Sequence, residues 1–260
     1  MTVRAASILS TVAVLAAAAS PPAAQAEDDP AVVPYRPSVT SPAQLPAPGW
    51  LELEAGGLHA RGPGDERRSS LPLTLKLAWT PDWGVVLGGE ALVSDRVGGA
   101  TTTGGGDTTL ALKHRFAIDD RRAFGLELGT KFPTARASLG SGRQDWSANG
   151  IYSADFGDAW HTDINLNETR QGAPAGQPVT WQLGAAASVA RSFNDTWGAV
   201  AELALTHQAG TPATDQLLLA GSYAPSKAAV LDFGIAQGLN HATPHLQVFL
   251  GGTFRLGRLF

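Results

Sequence analysis

The stretch TTLALKHRF, residues 108–116, alternates apolar and polar side chains and therefore has two different faces. Because successive side chains of a strand point to opposite sides, Leu110 and Leu112 share one face, and Lys113 and Arg115 share the other. In a soluble sheet the leucines would face a core, whereas in a transmembrane barrel they would face lipid and the charges would face the lumen. The stretch alone allows both arrangements, so the rest of the chain must decide between them.

The same alternation recurs along the chain from Gly49 onward. Segments of about ten residues with a period of two are separated by clusters of Gly, Pro, Asp, Asn and Ser. We count twelve of these segments, at 49–59, 70–80, 84–94, 106–117, 122–132, 144–156, 159–169, 180–193, 197–208, 214–223, 228–238 and 245–260. An even number of strands returns both chain ends to the same side of a membrane.

The connections between these segments alternate between short and long. PDWG (81–84) and IDDRR (118–122) are short, whereas 96–106 and 133–144 are long. Outer-membrane barrels have short periplasmic turns and longer external loops. Aromatic residues also gather at the segment ends, for example Trp79 and Trp83 beside the first short turn, as the aromatic girdles of a barrel require.

The final segment alternates over its whole length and ends on Phe260. An aromatic carboxy-terminal residue resembles the signal by which the barrel assembly machinery recognises outer-membrane proteins. We therefore expect that machinery, outer-membrane lipid and lipopolysaccharide as partners. Together these features predict an all-β transmembrane barrel, antiparallel and up-and-down, with about twelve strands, in the bacterial outer membrane.

The first 26 residues predict a secretory signal peptide. Arg4 precedes an apolar run of about 15 residues, which is shorter than the roughly 20 of a spanning helix, and Ala24 and Ala26 supply a small-residue cleavage site. The proline-rich segment 27–47 has no sustained period, and we expect it to be a flexible periplasmic arm, with insertion into the lumen as a plug as the alternative. Residues 48–260 then form the barrel.

Composition narrows the classes of partner and of stabilisation. The chain has a formal net charge of −4 and no basic stripe, which argues against nucleic acid as a partner. It contains no cysteine, so core packing or barrel closure must hold an exported fold together without disulfides.

The alternation also assigns side chains to the lumen. The charged and polar candidates for the lining of a solute path are Lys113, Arg115, Glu127, Lys131, His161, Asp163, Glu202 and Asp232. Small inward residues such as Gly125, Gly129 and Gly184 leave space and favour a narrow polar pore. The alternative is that cross-strand ion pairs stiffen and close the barrel.

We find little sign of catalytic chemistry in the sequence. His161 and Asp163 lie on one strand face and could pair as a base and its orienting carboxylate, but no matched nucleophile accompanies them. The histidines are scattered, and the glycine-rich stretch 98–107 lacks the lysine of a phosphate loop. We expect no catalytic residue, no metal and no cofactor; an outer-membrane enzyme acting on lipid or peptide, and a closed structural or surface-binding barrel, remain the alternatives.

Four segments resemble a known family. GDTTLALKHRF (106–116), GLELGTKFPTA (125–135), LGSGRQDWSANGIYSADF (139–156) and LQVFLGGTFRL (246–256) are similar to recurring segments of bacterial outer-membrane proteins described as transporters or as proteins of the MetA pathway of phenol degradation. The resemblance covers most of the chain after the signal peptide. It implies an outer-membrane β-barrel that passes small hydrophobic or aromatic molecules, and it supplies no functional residues. We therefore expect a passive, diffusion-driven channel for a small-molecule solute.

Overall fold

The computed structural model describes residues 29–174 and 176–260, so the predicted signal peptide, residues 1–26, lies outside the described residues. Over these residues, thirteen strands form one antiparallel sheet. Their bounds are β1 Trp50–Arg61, β2 Arg67–Ala78, β3 Trp83–Val97, β4 Ala100–Gly104, β5 Thr108–Ala117, β6 Arg122–Phe132, β7 Asp145–Phe156, β8 Trp160–Gln171, β9 Thr180–Ser192, β10 Trp197–Gln208, β11 Thr214–Ser226, β12 Ala229–Gly238 and β13 Leu246–Arg258. Within the same ranges, no helix is both long and apolar enough to cross a membrane.

The sheet closes into a barrel of twelve strands, as the sequence predicts. β1 pairs with β2 on one side and with β13 on the other, and pairing of β2 with β3 completes the circle. The lower half of β3 pairs with β5, whereas β4 pairs with the upper part of β3 alone. β4 therefore extends the wall beside β3 and is not a thirteenth strand of the closed barrel.

This extension differs from the long loop expected at 96–106. Val97 pairs with Ala100 across the two residues Gly98 and Gly99, whose φ angles are 58° and 82°. Positive φ at both central positions is the geometry of a type I′ turn, which matches the twist of paired strands and which glycine adopts without strain. The glycine pair thus continues the β3 hairpin where the sequence predicted irregular chain.

The lipid face and the lumen face of the wall follow the predicted alternation. Leu110 and Leu112 are 40% and 39% exposed on the outside, whereas Lys113 is fully buried in the interior. Outward aromatic residues occupy both ends of the strands: Trp79, Trp83, Phe116, Phe124, Phe156, Trp160, Phe193 and Trp197 at one end, and Phe132, Trp146 and Trp181 at the other. The apolar side of the opening stretch therefore points outward, which settles the question that the stretch alone leaves open.

The two rims of the barrel are unequal. Connections of two to four residues, such as 118–121, 157–159 and 227–228, lie at one rim together with the start of β1 and the end of β13. Longer connections, such as 133–144 and 172–179, lie at the other rim. By the usual asymmetry of such barrels, the first rim is periplasmic and the second is extracellular.

The proline-rich segment lies inside the barrel, which corrects the expectation of a flexible periplasmic arm. It enters at the periplasmic rim, where the Val32 amide donates to the carbonyl of Lys227 at 2.9 Å, and returns there, where the Gly49 amide donates to Ala78 at 2.8 Å. Proline carries no N–H, so burial of this segment leaves few donors to satisfy, and lumen side chains accept from those that remain. We call residues 29–48 the lumen arm.

Candidate functional site

The lumen arm is centred on an aromatic ring held between two lysines. The ammonium groups of Lys76 and Lys113 lie 4.2 Å and 4.1 Å from the centroid of the Tyr35 ring. The Tyr35 hydroxyl donates to the carbonyl of Gln44 at 2.8 Å, which links two parts of the arm nine residues apart. Burial and the nearby carboxylates raise the pKa of the Tyr35 phenol, so this donor keeps its proton.

Lys76 is also part of a buried charge cluster at the base of β1. Its ammonium lies 3.1 Å from Glu52 and 2.7 Å from Glu54, and all three side chains are almost completely buried. The two carboxylates accept the amide N–H groups of Val33 (3.2 Å) and Tyr35 (2.7 Å). These three charges are thus paired with one another and at the same time hold the arm.

Two of the predicted path residues form a second cluster on β5 and β6. Lys113 pairs with Glu127 at 2.8 Å, and the Ser41 hydroxyl of the arm donates to Glu127 at 2.6 Å and accepts from Lys113 at 2.9 Å. Arg115, the next lumen-facing residue of β5 toward the periplasm, instead pairs with Asp82 of the β2–β3 turn at 3.2 Å. Lys113 and Glu127 therefore hold the arm, whereas Arg115 ties β5 to a periplasmic turn.

Glu202 and Asp232 hold the arm from the opposite wall. Glu202 is 2% exposed and accepts three hydrogen bonds, from the amides of Val39 (2.9 Å) and Thr40 (2.8 Å) and from the Thr40 hydroxyl (2.8 Å). Asp232 forms a two-point ion pair with Arg36, at 3.0 Å and 3.1 Å. These two carboxylates hold residues 36–40 of the arm inside the barrel.

His161 and Asp163 do come together, as their spacing predicts. The His161 ring lies between two carboxylates, with Nε2 3.1 Å from Asp163 and Nδ1 2.6 Å from Asp155. The nearby Ser153 hydroxyl donates to Asp163, so the serine and the histidine bind the same carboxylate. A nucleophile-activating triad needs the imidazole between the hydroxyl and the carboxylate, and this arrangement has a different order.

Lys131 is separate from the other candidates. It lies toward the extracellular end of β6, where its ammonium is 2.5 Å from Asp145 and 3.6 Å from Asp107. It also donates to the Ser141 hydroxyl of the adjacent long loop at 2.8 Å. This group ties an external loop to the wall and makes no contact with the lumen arm in the described part of the chain.

The arm does not fill the barrel. A cavity of about 780 Å³ lies between the arm and the wall formed by β8 to β12. Small side chains on this wall, among them Ser188, Ala190, Gly198 and Ser222, leave the space, while Asp163 and His161 border it. In the periplasmic half of the lumen the arm is therefore held on both sides, and the remaining space lies beside its contacts with Glu202 and Asp232, along β8 to β12.

The interior also has an apolar patch. It consists of Leu218, Ala220, Ala236 and Phe249, with Leu58 and Val200 packed against them. Val200 borders the cavity beside the arm as well, so the patch adjoins that space. The lumen thus contains an apolar patch as well as the charged clusters.

Sequence reasoning missed the arm residues Tyr35, Arg36 and Thr40, although it assigned their partners to the lumen. One signal was present: in the strand pairing Glu202 faces Ser188 and Leu218, and Asp232 faces Ser222 and Gly251, none of them charged. Carboxylates in a closed interior need donors. These two carboxylates therefore required donors from outside the wall.

The closed wall, the lipid-facing belt and the two aromatic girdles define an outer-membrane β-barrel. Among residues 29–174 and 176–260, no group of three or more His, Cys, Asp or Glu side chains is placed to hold a metal ion. No protein-family model matches the chain, and no curated protein matches it either.

Solved structures with the same fold include outer-membrane channels and porins. The COG4313 outer membrane channel from Pseudomonas putida F1 superposes with a TM-score of 0.66 at 14% identity, covering 86% of this chain and all of that one. The NanC porin gives a TM-score of 0.56 at 12% identity, covering 79% of this chain and 100% of that chain. The KdgM porin, in complex with oligogalacturonate, gives 0.53 at 8% identity, with 78% and 99% covered.

Proposed function

We propose that this protein is a passive channel that lets small molecules diffuse across the outer membrane. The observation that carries the proposal is the cavity of about 780 Å³ that remains beside the lumen arm. Its volume is that of a typical small-molecule site, roughly 300–1,000 Å³. The arm narrows the lumen to this side, so a solute would pass along the wall of β8 to β12.

The lumen surface favours solutes that combine an apolar body with a polar group. The apolar patch reaches the space through Val200, and polar groups such as Ser188, Ser222 and Asp163 border it. The resemblance to the family of transporters points in the same direction, toward hydrophobic or aromatic small molecules. The similar structures are named as a channel and as porins, which supports a channel function for this protein.

The alternative of an outer-membrane enzyme has less support. It needs a nucleophile on the imidazole of His161, and the Ser153 hydroxyl instead donates to Asp163. We therefore expect His161→Ala to abolish no hydrolytic activity. The substitution removes the imidazole that contacts Asp155 and Asp163 beside the cavity.

Single-channel conductance in a planar bilayer tests the proposal. The substitution Ala190→Trp fills the cavity from the lumen side of β9, and we expect it to lower the conductance steps. Ala187→Trp is the matched control, because Ala187 lies on the same strand but is exposed on the lipid face. A folded, inserted protein that conducts nothing, or equal conductance in both variants, would contradict the proposed path.

A further inference from the structure

Arg191 is an arginine on the lipid face, next to the last residue of β9 before the periplasmic turn. It directly faces Trp160 on β8 and Ala199 on β10. Its guanidinium carbon lies 5.0 Å from the centroid of the Trp160 ring and 5.6 Å from that of Phe193. Within the described chain it forms no ion pair, so a charged group is held between two exposed aromatic rings without a counter-charge.

The depth of Arg191 matches a membrane interface. Arg191 pairs with Trp160 at the periplasmic end of β8. Ten residues further along β8, at its extracellular end, Arg170 pairs with Trp146 and Trp181, whose rings point outward. Ten residues at about 3.3 Å each, tilted by about 40°, separate these rungs by about 25 Å along the membrane normal. That separation is the height of the apolar band of an outer-membrane barrel, which places Arg191 at the level of the lipid headgroups of the periplasmic leaflet.

An apolar groove begins beside Arg191 and runs toward the middle of the membrane. It has a volume of about 520 Å³ and is lined on the lipid face by Ala199, Ala201, Leu219, Phe233 and Ile235. The small side chains of β10 form its floor, and the larger ones of β11 and β12 form its side. A cation at the interface followed by an apolar groove is complementary to an anionic headgroup followed by an acyl chain.

We propose that this surface is a specific binding site for a diacyl glycerophospholipid of the periplasmic leaflet. The guanidinium of Arg191 donates to the phosphate, held in place by Trp160 and Phe193, and one acyl chain lies in the groove over Ala199 and Ala201. The site is on the outside of the barrel, so it acts independently of any path through the lumen.

Native mass spectrometry of the detergent-solubilised full barrel with dioleoylphosphatidylglycerol tests the proposal. We expect a one-to-one lipid adduct on the wild type, weakened about tenfold in Arg191→Gln, as expected for a lost charge-assisted hydrogen bond. Arg122→Gln is the matched control, because Arg122 lies at the same rim but is already paired with Asp119 at 2.6 Å. That variant should bind the lipid as the wild type does.

Two further comparisons separate the parts of the site. Ala201→Phe fills the groove without touching Arg191 and should also weaken the adduct. Dioleoylglycerol, which has the chains but no phosphate, should bind weakly to every variant. Equal adducts on wild type and Arg191→Gln, or binding of dioleoylglycerol equal to that of the phospholipid, would overturn the proposal, and preferential binding of lipid A would overturn its assignment to the periplasmic leaflet.

Discussion

Replacement of Glu202 by leucine should release the middle of the lumen arm while the barrel stays closed. Leucine is close in size to glutamate but has no acceptor, so the amides of Val39 and Thr40 lose their partner, while the Thr40 hydroxyl keeps only its contact with Ser188 at 3.0 Å. The strand pairing of β10 is backbone to backbone and does not involve the carboxylate. The substitution therefore acts on the arm and not on the wall.

The size of the effect follows from the two orphaned amides. A buried donor left without an acceptor costs about 1–3 kcal/mol. Two of them give about 2–6 kcal/mol, and because the arm can shift toward the adjoining cavity and find water, we take a value in the lower half of that range, about 3 kcal/mol. This corresponds to a roughly 100-fold larger open population of the arm.

Hydrogen–deuterium exchange of the arm, followed by mass spectrometry of a peptide that contains Val39 and Thr40, measures this population. We expect exchange to be roughly 100-fold faster in Glu202→Leu than in the wild type. Glu168→Leu is the control, because Glu168 is an exposed carboxylate of the lipid face on β8. Single-channel conductance should rise in parallel, since the arm occupies part of the lumen.

Wild-type protection of the arm in Glu202→Leu, in a barrel that still shows the heat-dependent gel mobility of a folded barrel, would contradict this prediction. That result would mean that the other anchors, the Arg36–Asp232 pair and the lysine pair around Tyr35, hold the arm without Glu202. A partial effect in Glu202→Gln, which keeps one carbonyl acceptor, would support the hydrogen-bond account.

Three further predictions concern the buried charges and the chain end. Lys76→Met leaves two buried carboxylates without a counter-charge and should cost about 3–5 kcal/mol, seen as a lower urea midpoint, whereas Lys131→Met at the more exposed external group should cost less. Tyr35→Leu removes the ring between the two lysines and should speed arm exchange more than Tyr35→Phe, which keeps the ring and loses only the hydroxyl. Phe260→Ala should reduce the amount of barrel assembled in cells without changing the urea midpoint of the refolded protein, if the terminal aromatic serves recognition by the assembly machinery; an equal yield would show that it does not.

Much of the wall could be predicted from the sequence, because a transmembrane strand is specified locally. A period of two sends Leu110 and Leu112 to lipid and Lys113 to the lumen regardless of which strand lies beside them. Turn residues between segments set the number of strands, and the antiparallel order of neighbours follows from the short connections. The predicted lumen orientation of Glu127, Glu202 and Asp232 rests on the same parity.

The contents of the lumen were decided only by the tertiary structure. Arg36 and Asp232 are 196 residues apart in the chain, and Thr40 and Glu202 are 162 apart, so no local pattern connects them. The arm is held by individual amides and side chains and forms neither helix nor strand. Its sequence therefore shows no hydrophobic periodicity. Its position follows from the need of enclosed carboxylates and lysines for partners, and that need exists only once the wall has closed around them.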